Sequence, residues 1–175
     1  MRNIFSPRWR GHAVQPSVLI RKLFQLLLFI LIAQAVGIFG TYFTFDAIPT
    51  WYAELVKPSF SPPNWVFGPV WTILYAMMGI AAFCAWELWY EKTHAPRALN
   101  WYWLQLFLNG IWTLIFFGFK NLGLALIVIL ALFLAILMMI REFGKIDMRL
   151  ALLLVPYLLW VMFASTLNYS LWMLN

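Results

Sequence analysis

The sequence predicts an all-α integral membrane protein, a bundle of five transmembrane helices. Composition gives the first observation: 65% of the 175 residues are apolar and only 10% are charged, far from what a polar-surfaced soluble domain needs. The second is that the apolar residues divide into five runs, each near the roughly 20 residues of one helical crossing. The third is that the connections between runs are brief, leaving no length for a separate soluble domain.

The first 22 residues form a basic tail, and the first span then runs from about Leu23 to Phe45. Arg2, Arg8, Arg10, Arg21 and Lys22 ahead of an apolar run resemble a signal peptide. The run is too long for one and no small-residue cleavage site breaks it, so it reads as a retained helix. The remaining spans are expected at about Asn64–Tyr90, Leu99–Gly118, Gly123–Arg141 and Arg149–Trp172.

Five crossings place the termini on opposite sides. The tail charges, Lys92, Arg97, Arg141, Lys145 and Arg149 then share one side, and only Lys57 and Lys120 lie on the other. This bias predicts a cytoplasmic N-terminus in a bacterial inner membrane; in an outer membrane the rule would not fix orientation. It also accounts for the net charge of +6 without a nucleic-acid-binding face. Cys84 is the single cysteine, so no internal disulfide forms. His12 and His94 are far apart in sequence, which argues against a metal site.

The connection from Asp46 to Pro63 is the longest and carries Pro49, Pro58, Pro62 and Pro63. Such a stiff segment suits a lid or rim over a cavity, and an interfacial loop equally.

Of the eleven tryptophans, Trp65, Trp86, Trp89, Trp101, Trp103 and Trp172 lie near span ends, where indoles anchor helices at the interface. Trp71 and Trp112 fall roughly 10 Å deep at about 1.5 Å per residue, and Trp160 lies nearer the middle. Gln105, Asn109 and Trp112 share a face of the third span, as do Tyr157, Trp160, Ala164 and Asn168 on the fifth, while Thr72 and Tyr75 accompany Trp71. Amides exposed to hydrocarbon cost several kcal/mol, so these faces point into the bundle. They serve either as interhelical hydrogen-bonding glue or, with small Gly68 and Ala164 among them, as a mostly apolar cavity with a few orienting polar groups.

Pro69 and Pro156 are expected to interrupt their helices and free the carbonyls of Trp65 and Leu152. The acidic residues Asp46, Glu54, Glu91, Glu142 and Asp147 all read as loop or terminal. Only Glu87 enters a span, a turn from its end, where it can snorkel outward. An ion-coupled pump usually carries an ionisable group at membrane depth, so coupled transport is disfavoured. The sequence offers no nucleophile–base pair, phosphate loop or metal ligand set.

The run WYAELVKPSFSPPNWVFGPVWTILY from Trp51 to Tyr75 resembles the signature of the TspO/MBR family, that of the translocator or peripheral-type benzodiazepine receptor. QLFLNGIWTLIFFG from Gln105 to Gly118 and VPYLLWVMFASTLNYSLW from Val155 to Trp172 agree in order and spacing. The resemblance implies a five-helix bundle that binds porphyrins, including protoporphyrin IX and haem, as ligands and not as cofactors, with sterol or drug binding in some members. It carries pocket positions to Trp51, Phe67, Gly68, Trp71, Asn109, Trp112, Trp160, Ala164 and Leu167, with Tyr52 and Tyr75 as further candidates. It further implies a homodimer in a lipid bilayer.

Two departures limit the transfer. Leu167 and Tyr169 begin the cholesterol pattern, but no basic residue follows Tyr169. The third span lacks a small-xxx-small motif, its place being taken by Trp101, Trp103, Leu104 and Phe107; Ala131 and Ala135 on the fourth have that spacing. The functional expectation is a tetrapyrrole-binding membrane protein acting as sensor, carrier or scavenger. The alternatives are light-dependent porphyrin breakdown, with Trp71 and Trp160 as redox-active indoles, and transport of porphyrins, sterols or other small apolar ligands.

Overall fold

A computed structural model describes residues 15–175. Among these residues the chain is helical with no strand: α1 (Pro16–Ala47), α2 (Trp51–Glu54), a 3-10 turn (Asn64–Val66) leading into α3 (Phe67–Glu87), α4 (Ala95–Thr113) continuing as a π-helical stretch (Leu114–Gly118), α5 (Leu122–Ile146) and α6 (Met148–Leu174).

Four of these segments are long and apolar enough to cross a membrane: α1, the 3-10 turn with α3, α5 and α6. With its π extension α4 is of comparable length, but Arg97, Asn100, Gln105 and Asn109 dilute its apolar character. It packs against α1, α3 and α5. The bundle is apolar outside as well as inside: Phe24, Leu31 and Ile38 of α1, Leu134 of α5 and Leu159 of α6 are all exposed. Helices that are hydrophobic all round need hydrocarbon as their solvent, and the chain is an integral membrane protein.

Helix ends depart from the expected spans because an apolar run marks the hydrocarbon slab, while the helix continues until capping stops it. Pro16 opens α1 in the first turn, where its missing N–H costs nothing, so Arg21 and Lys22 are helical and not part of a tail. The tail charges Arg2, Arg8 and Arg10, and His12, lie outside the described residues. Pro69 is corrected similarly. It sits in the first turn of α3, where no intrahelical donor is lost, so it starts a helix and does not kink one. Pro156 does lie inside α6.

Two acidic residues take partners from elsewhere in the chain. Glu142, expected as loop or terminal, is terminal: it lies near the end of α5 and is only 8% exposed. Its carboxylate accepts from Lys145 Nζ at 2.5 Å and faces His94 Nδ1 at 2.9 Å, tying the start of α4 to the end of α5. Glu87 forms an ion pair with Lys22 of α1, so a partner helix, not snorkelling alone, accommodates it. These groups define a basic end of the bundle. Asp147 alone joins α5 to α6 and caps the latter by accepting from the Arg149 N–H at 2.8 Å. The two helices are antiparallel: Gly144 faces Ala151 at one end and Gly123 faces Trp172 at the other.

Close helix approach is set by glycine where α1 crosses α3. A Cβ on Gly79 would lie 2.6 Å from the Ile30 Cα, and one on Gly37 would lie 2.7 Å from the Tyr75 ring. Gln34, between Ile30 and Gly37 on α1, donates through Nε2 to the Thr72 carbonyl of α3 at 2.8 Å. The main core, around Met78, Tyr102, Ile136, Met139, Phe143, Leu154 and Tyr157, fills the middle and basic end. A second cluster of Tyr52, Ile115, Phe116, Ala125, Leu167 and Leu171 lies at the opposite end, leaving space beside it.

Candidate ligand cavity

That space is a cavity of about 470 Å³ bounded by α1, α2, the start of α3, the end of α4 and α6. Its volume falls within the range of ligand sites. From α3, Trp71 stacks on Tyr75, with ring centroids 5.5 Å apart and planes inclined by 29°. Trp71 also meets Tyr157 edge-on at 6.2 Å. Two aromatic faces are thereby held at fixed orientation, in geometries that ring quadrupoles favour.

The floor is a chain of buried hydrogen bonds joining three helices. Tyr75 OH donates to Asn109 Oδ1 at 2.6 Å, Asn109 Nδ2 donates to Tyr157 OH at 3.2 Å, and Tyr157 OH donates to Gln105 Oε1 at 2.7 Å. Gln105 Nε2 closes the chain on Met78 Sδ at 3.4 Å. The amides of α4 therefore act as interhelical glue beneath the cavity. Gln105 and Asn109 have no access to it, being almost fully buried.

One wall comes from α4 and its π extension. Trp112 Nε1 donates to Asn168 Oδ1 at 3.1 Å, and Asn168 Nδ2 donates to the Leu122 carbonyl at 2.9 Å, which locks the indole. The π stretch shifts the helical period toward i, i+5, so Phe116 and Phe117 both line the cavity along with Trp112. Ala164, Leu167 and Leu171 recur at one-turn intervals along α6 and form another wall. Ala164 keeps it thin, where a larger side chain would enter the space.

The polar groups of the lining are largely spent on their own backbone. Thr41, Thr72 and Thr113 donate to the carbonyls of Gly37, Gly68 and Asn109, and no charged side chain lines the cavity among the described residues. A ligand here meets rings, methyl groups and hydroxyl oxygens.

The proline-rich connection covers this end. Its short helix α2 places Tyr52 against Phe116 and Phe117, lining the cavity at only 4% exposure. Lys57 Nζ stands 4.9 Å from the Tyr52 ring centroid and donates to the carbonyls of Ala53 and Leu55 at 3.0 and 3.1 Å, closing the end of α2. Burial raises the Tyr52 phenol above its ordinary pKa, so Lys57 meets a neutral ring.

Of the eleven positions expected from sequence, Tyr52, Phe67, Gly68, Trp71, Tyr75, Trp112, Ala164 and Leu167 line the cavity. The other three stand behind it. Trp51 packs edge-on against Phe116 and Phe117, Asn109 belongs to the floor, and Trp160 backs Phe67 at 5.8 Å and Phe163 at 5.5 Å. Of the two indoles considered for redox chemistry, only Trp71 reaches the cavity.

The α1 wall was missing from the sequence reading. Gly37, Gly40, Thr41 and Thr44 all line the cavity. Their i, i+3, i+4, i+7 spacing, small and hydroxyl-bearing in an otherwise bulky apolar helix, is the signal that marks this face.

Fold and cavity together define a helical membrane protein with a ligand-sized aromatic chamber under a lid at one end. The sequence model of the TspO/MBR family matches residues 29–173, and the chain belongs to that family. It is 40% identical over 151 residues to the tryptophan-rich protein TspO of Archaeoglobus fulgidus, covering 86% of this chain and 97% of that protein. It is 41% identical over 145 residues to the human translocator protein, covering 81% and 85%. With the tryptophan-rich sensory protein of Cereibacter sphaeroides the identity is 38% over 125 residues, covering 71% and 77%.

Proposed function

We propose that this protein binds a tetrapyrrole, protoporphyrin IX or haem, in the cavity and acts as a sensor, carrier or scavenger in porphyrin handling. The observation that carries the reading is the rigid Trp71–Tyr75 stack beside a cavity of about 470 Å³, a flat aromatic surface against which a planar macrocycle can lie. The uncharged lining suits the ring, and Lys57 at the lid gives the propionates a cation outside it. The sensory and translocator relatives agree with a ligand-handling role.

In this reading α4 with its π extension is a fifth crossing. Its polar Gln105 and Asn109 face inward, and Trp103, Leu104 and Phe107 are exposed, as lipid contact or pairing with a second copy requires. The basic end then faces the cytoplasm of a bacterial inner membrane.

Quenching of tryptophan fluorescence by protoporphyrin IX in lipid nanodiscs tests the reading. The wild-type protein should show saturable quenching. Trp71→Ala should weaken binding about tenfold, equivalent to about 1.4 kcal/mol, whereas Trp160→Ala, at a side chain that stands behind the wall against Phe67 and Phe163, should weaken it about threefold or less. Absence of saturable quenching, or equal effects of the two variants, would refute the proposed site.

A further inference from the structure

The geometry points to Asn175 as a latch that holds the lid shut over the cavity and sets how fast ligand exchanges. The inference rests on the reading that this cavity takes a ligand, but not on the ligand being a tetrapyrrole.

The side-chain amide of Asn175 engages the main chain of the lid at two points. It accepts from the Val56 N–H through Oδ1 at 3.0 Å and donates to the Val56 carbonyl through Nδ2 at 3.1 Å. A carboxamide carries the same donor and acceptor as a peptide group, so it pairs with Val56 as a neighbouring strand would. The backbone is suited to this, since Leu55 ends α2 in an extended conformation, φ −63° and ψ 141°. The second Nδ2 proton goes to the Leu171 carbonyl of α6 at 2.9 Å. Both amide protons are therefore used, and the side chain is fixed to α6 at one side and to the lid at the other.

Two features make this a latch and not one contact among many. Among the described residues, these are the only hydrogen bonds that join the connection between α1 and α3 to another helix of the bundle. Its ring contacts are Trp51 and Tyr52 on Phe116 and Phe117 and Phe60 on Phe163, which are less directional than hydrogen bonds and tolerate small displacements of the lid. In addition, the latch continues the cavity wall. Ala164, Leu167, Leu171 and Asn175 follow one another on a single face of α6, and the first three line the cavity. Opening the lid at Val56 therefore opens the chamber beside Leu171.

Release of the latch widens the way into the chamber and so favours both entry and exit. Its removal should raise the two rates together and leave affinity nearly unchanged. The test uses the full chain in lipid nanodiscs and two independent readouts. The first is ligand-free: maleimide labelling of an Ala164→Cys reporter in a Cys84→Ala background, with and without Asn175→Ala. The second is stopped-flow quenching by protoporphyrin IX in the native background.

Asn175→Ala is expected to speed labelling about tenfold and to raise association and dissociation rates about tenfold each, with Kd within about twofold. Asn175→Asp keeps the acceptor for Val56 N–H and loses both donors, and should fall between. Unchanged labelling in Asn175→Ala overturns the latch, as does a change in Kd carried by the dissociation rate alone with association unmoved, the mark of a residue that merely supports the site. If protoporphyrin IX fails to quench the wild-type protein, the tetrapyrrole reading falls, and the labelling rates still decide the latch.

Discussion

Gly79→Ala is expected to lower the thermal midpoint of the detergent-solubilised protein by about 10 °C, corresponding to about 3 kcal/mol in a chain of this size. The added Cβ would lie 2.6 Å from the Cα and 2.8 Å from the N of Ile30. These are backbone atoms, so no rotamer change relieves the overlap and α1 must move away from α3. Displacing α1 also disturbs Gly37 against Tyr75 and the Gln34–Thr72 bond, the contacts that hold one wall of the cavity. Overpacking of this kind reaches about 3 kcal/mol. Gly144→Ala is the matched control, because its Cβ would meet only the Ala151 Cβ at an ordinary 3.5 Å. Relief of glycine's backbone entropy should leave that variant unchanged or more stable by up to about 1 kcal/mol. Equal midpoints for the two variants would show that α1 and α3 do not approach as closely as described.

Asn109→Leu is expected to destabilise by about 2–3 kcal/mol and to weaken ligand binding as well. The substitution preserves most of the volume but removes two buried hydrogen bonds. Tyr75 OH loses its acceptor and is left an unpaired donor, while Tyr157 keeps its bond to Gln105. An orphaned buried donor costs more than the net value of the bond it made. Adding Tyr75→Phe in the Leu background should therefore restore about 1–2 kcal/mol, although the same change alone in the wild-type protein is destabilising. Thermal midpoints of the four proteins give this cycle directly. Additive effects would sink the account of the floor as a connected network. The effect on binding follows from position: Tyr75 lines the cavity, and Trp71 stacks on it.

Both predictions depend on contacts whose legibility in the sequence differed. The floor was half visible. Helical spacing put Gln105, Asn109 and Trp112 on one face and argued that it points inward, but could not separate glue from cavity lining. Depth decides between them. Asn109 lies under Tyr75, and Trp112 stands one turn nearer the lid, where the helices part. The approach of α1 to α3 was not visible, because a glycine in an apolar run looks the same whether a backbone or a lipid tail lies against it. The helical spacing of Gly37, Gly40, Thr41 and Thr44 marks a face of α1, but not what that face meets.

Charge was read well where it is excluded and less well where it is placed. Counting acids correctly predicted that none lines the centre of the bundle. Their locations at the basic end required a partner to be known. Glu142 looks like a loop or terminal residue without a partner until His94, 48 positions away in sequence, is found beside it. Lys22 likewise looks like part of a tail until it meets Glu87.

What the sequence by itself determined is the solvent, the helical class and most of the aromatic cavity lining. The solvent, the helical class and the inward faces of Trp71, Tyr75 and Trp112 follow from composition and from the 3.6-residue period, which are properties of single segments, while Tyr52 and Phe67 were reached through the family resemblance. Tertiary structure alone decided which indoles see the cavity, that Trp160 and Trp51 stand behind its walls, that α1 supplies a face of small residues, and that Asn175 fastens the lid. Each of these depends on pairs of residues brought together from distant parts of the chain. No local pattern specifies such pairs, because they arise from how closely the helices pack and where they diverge.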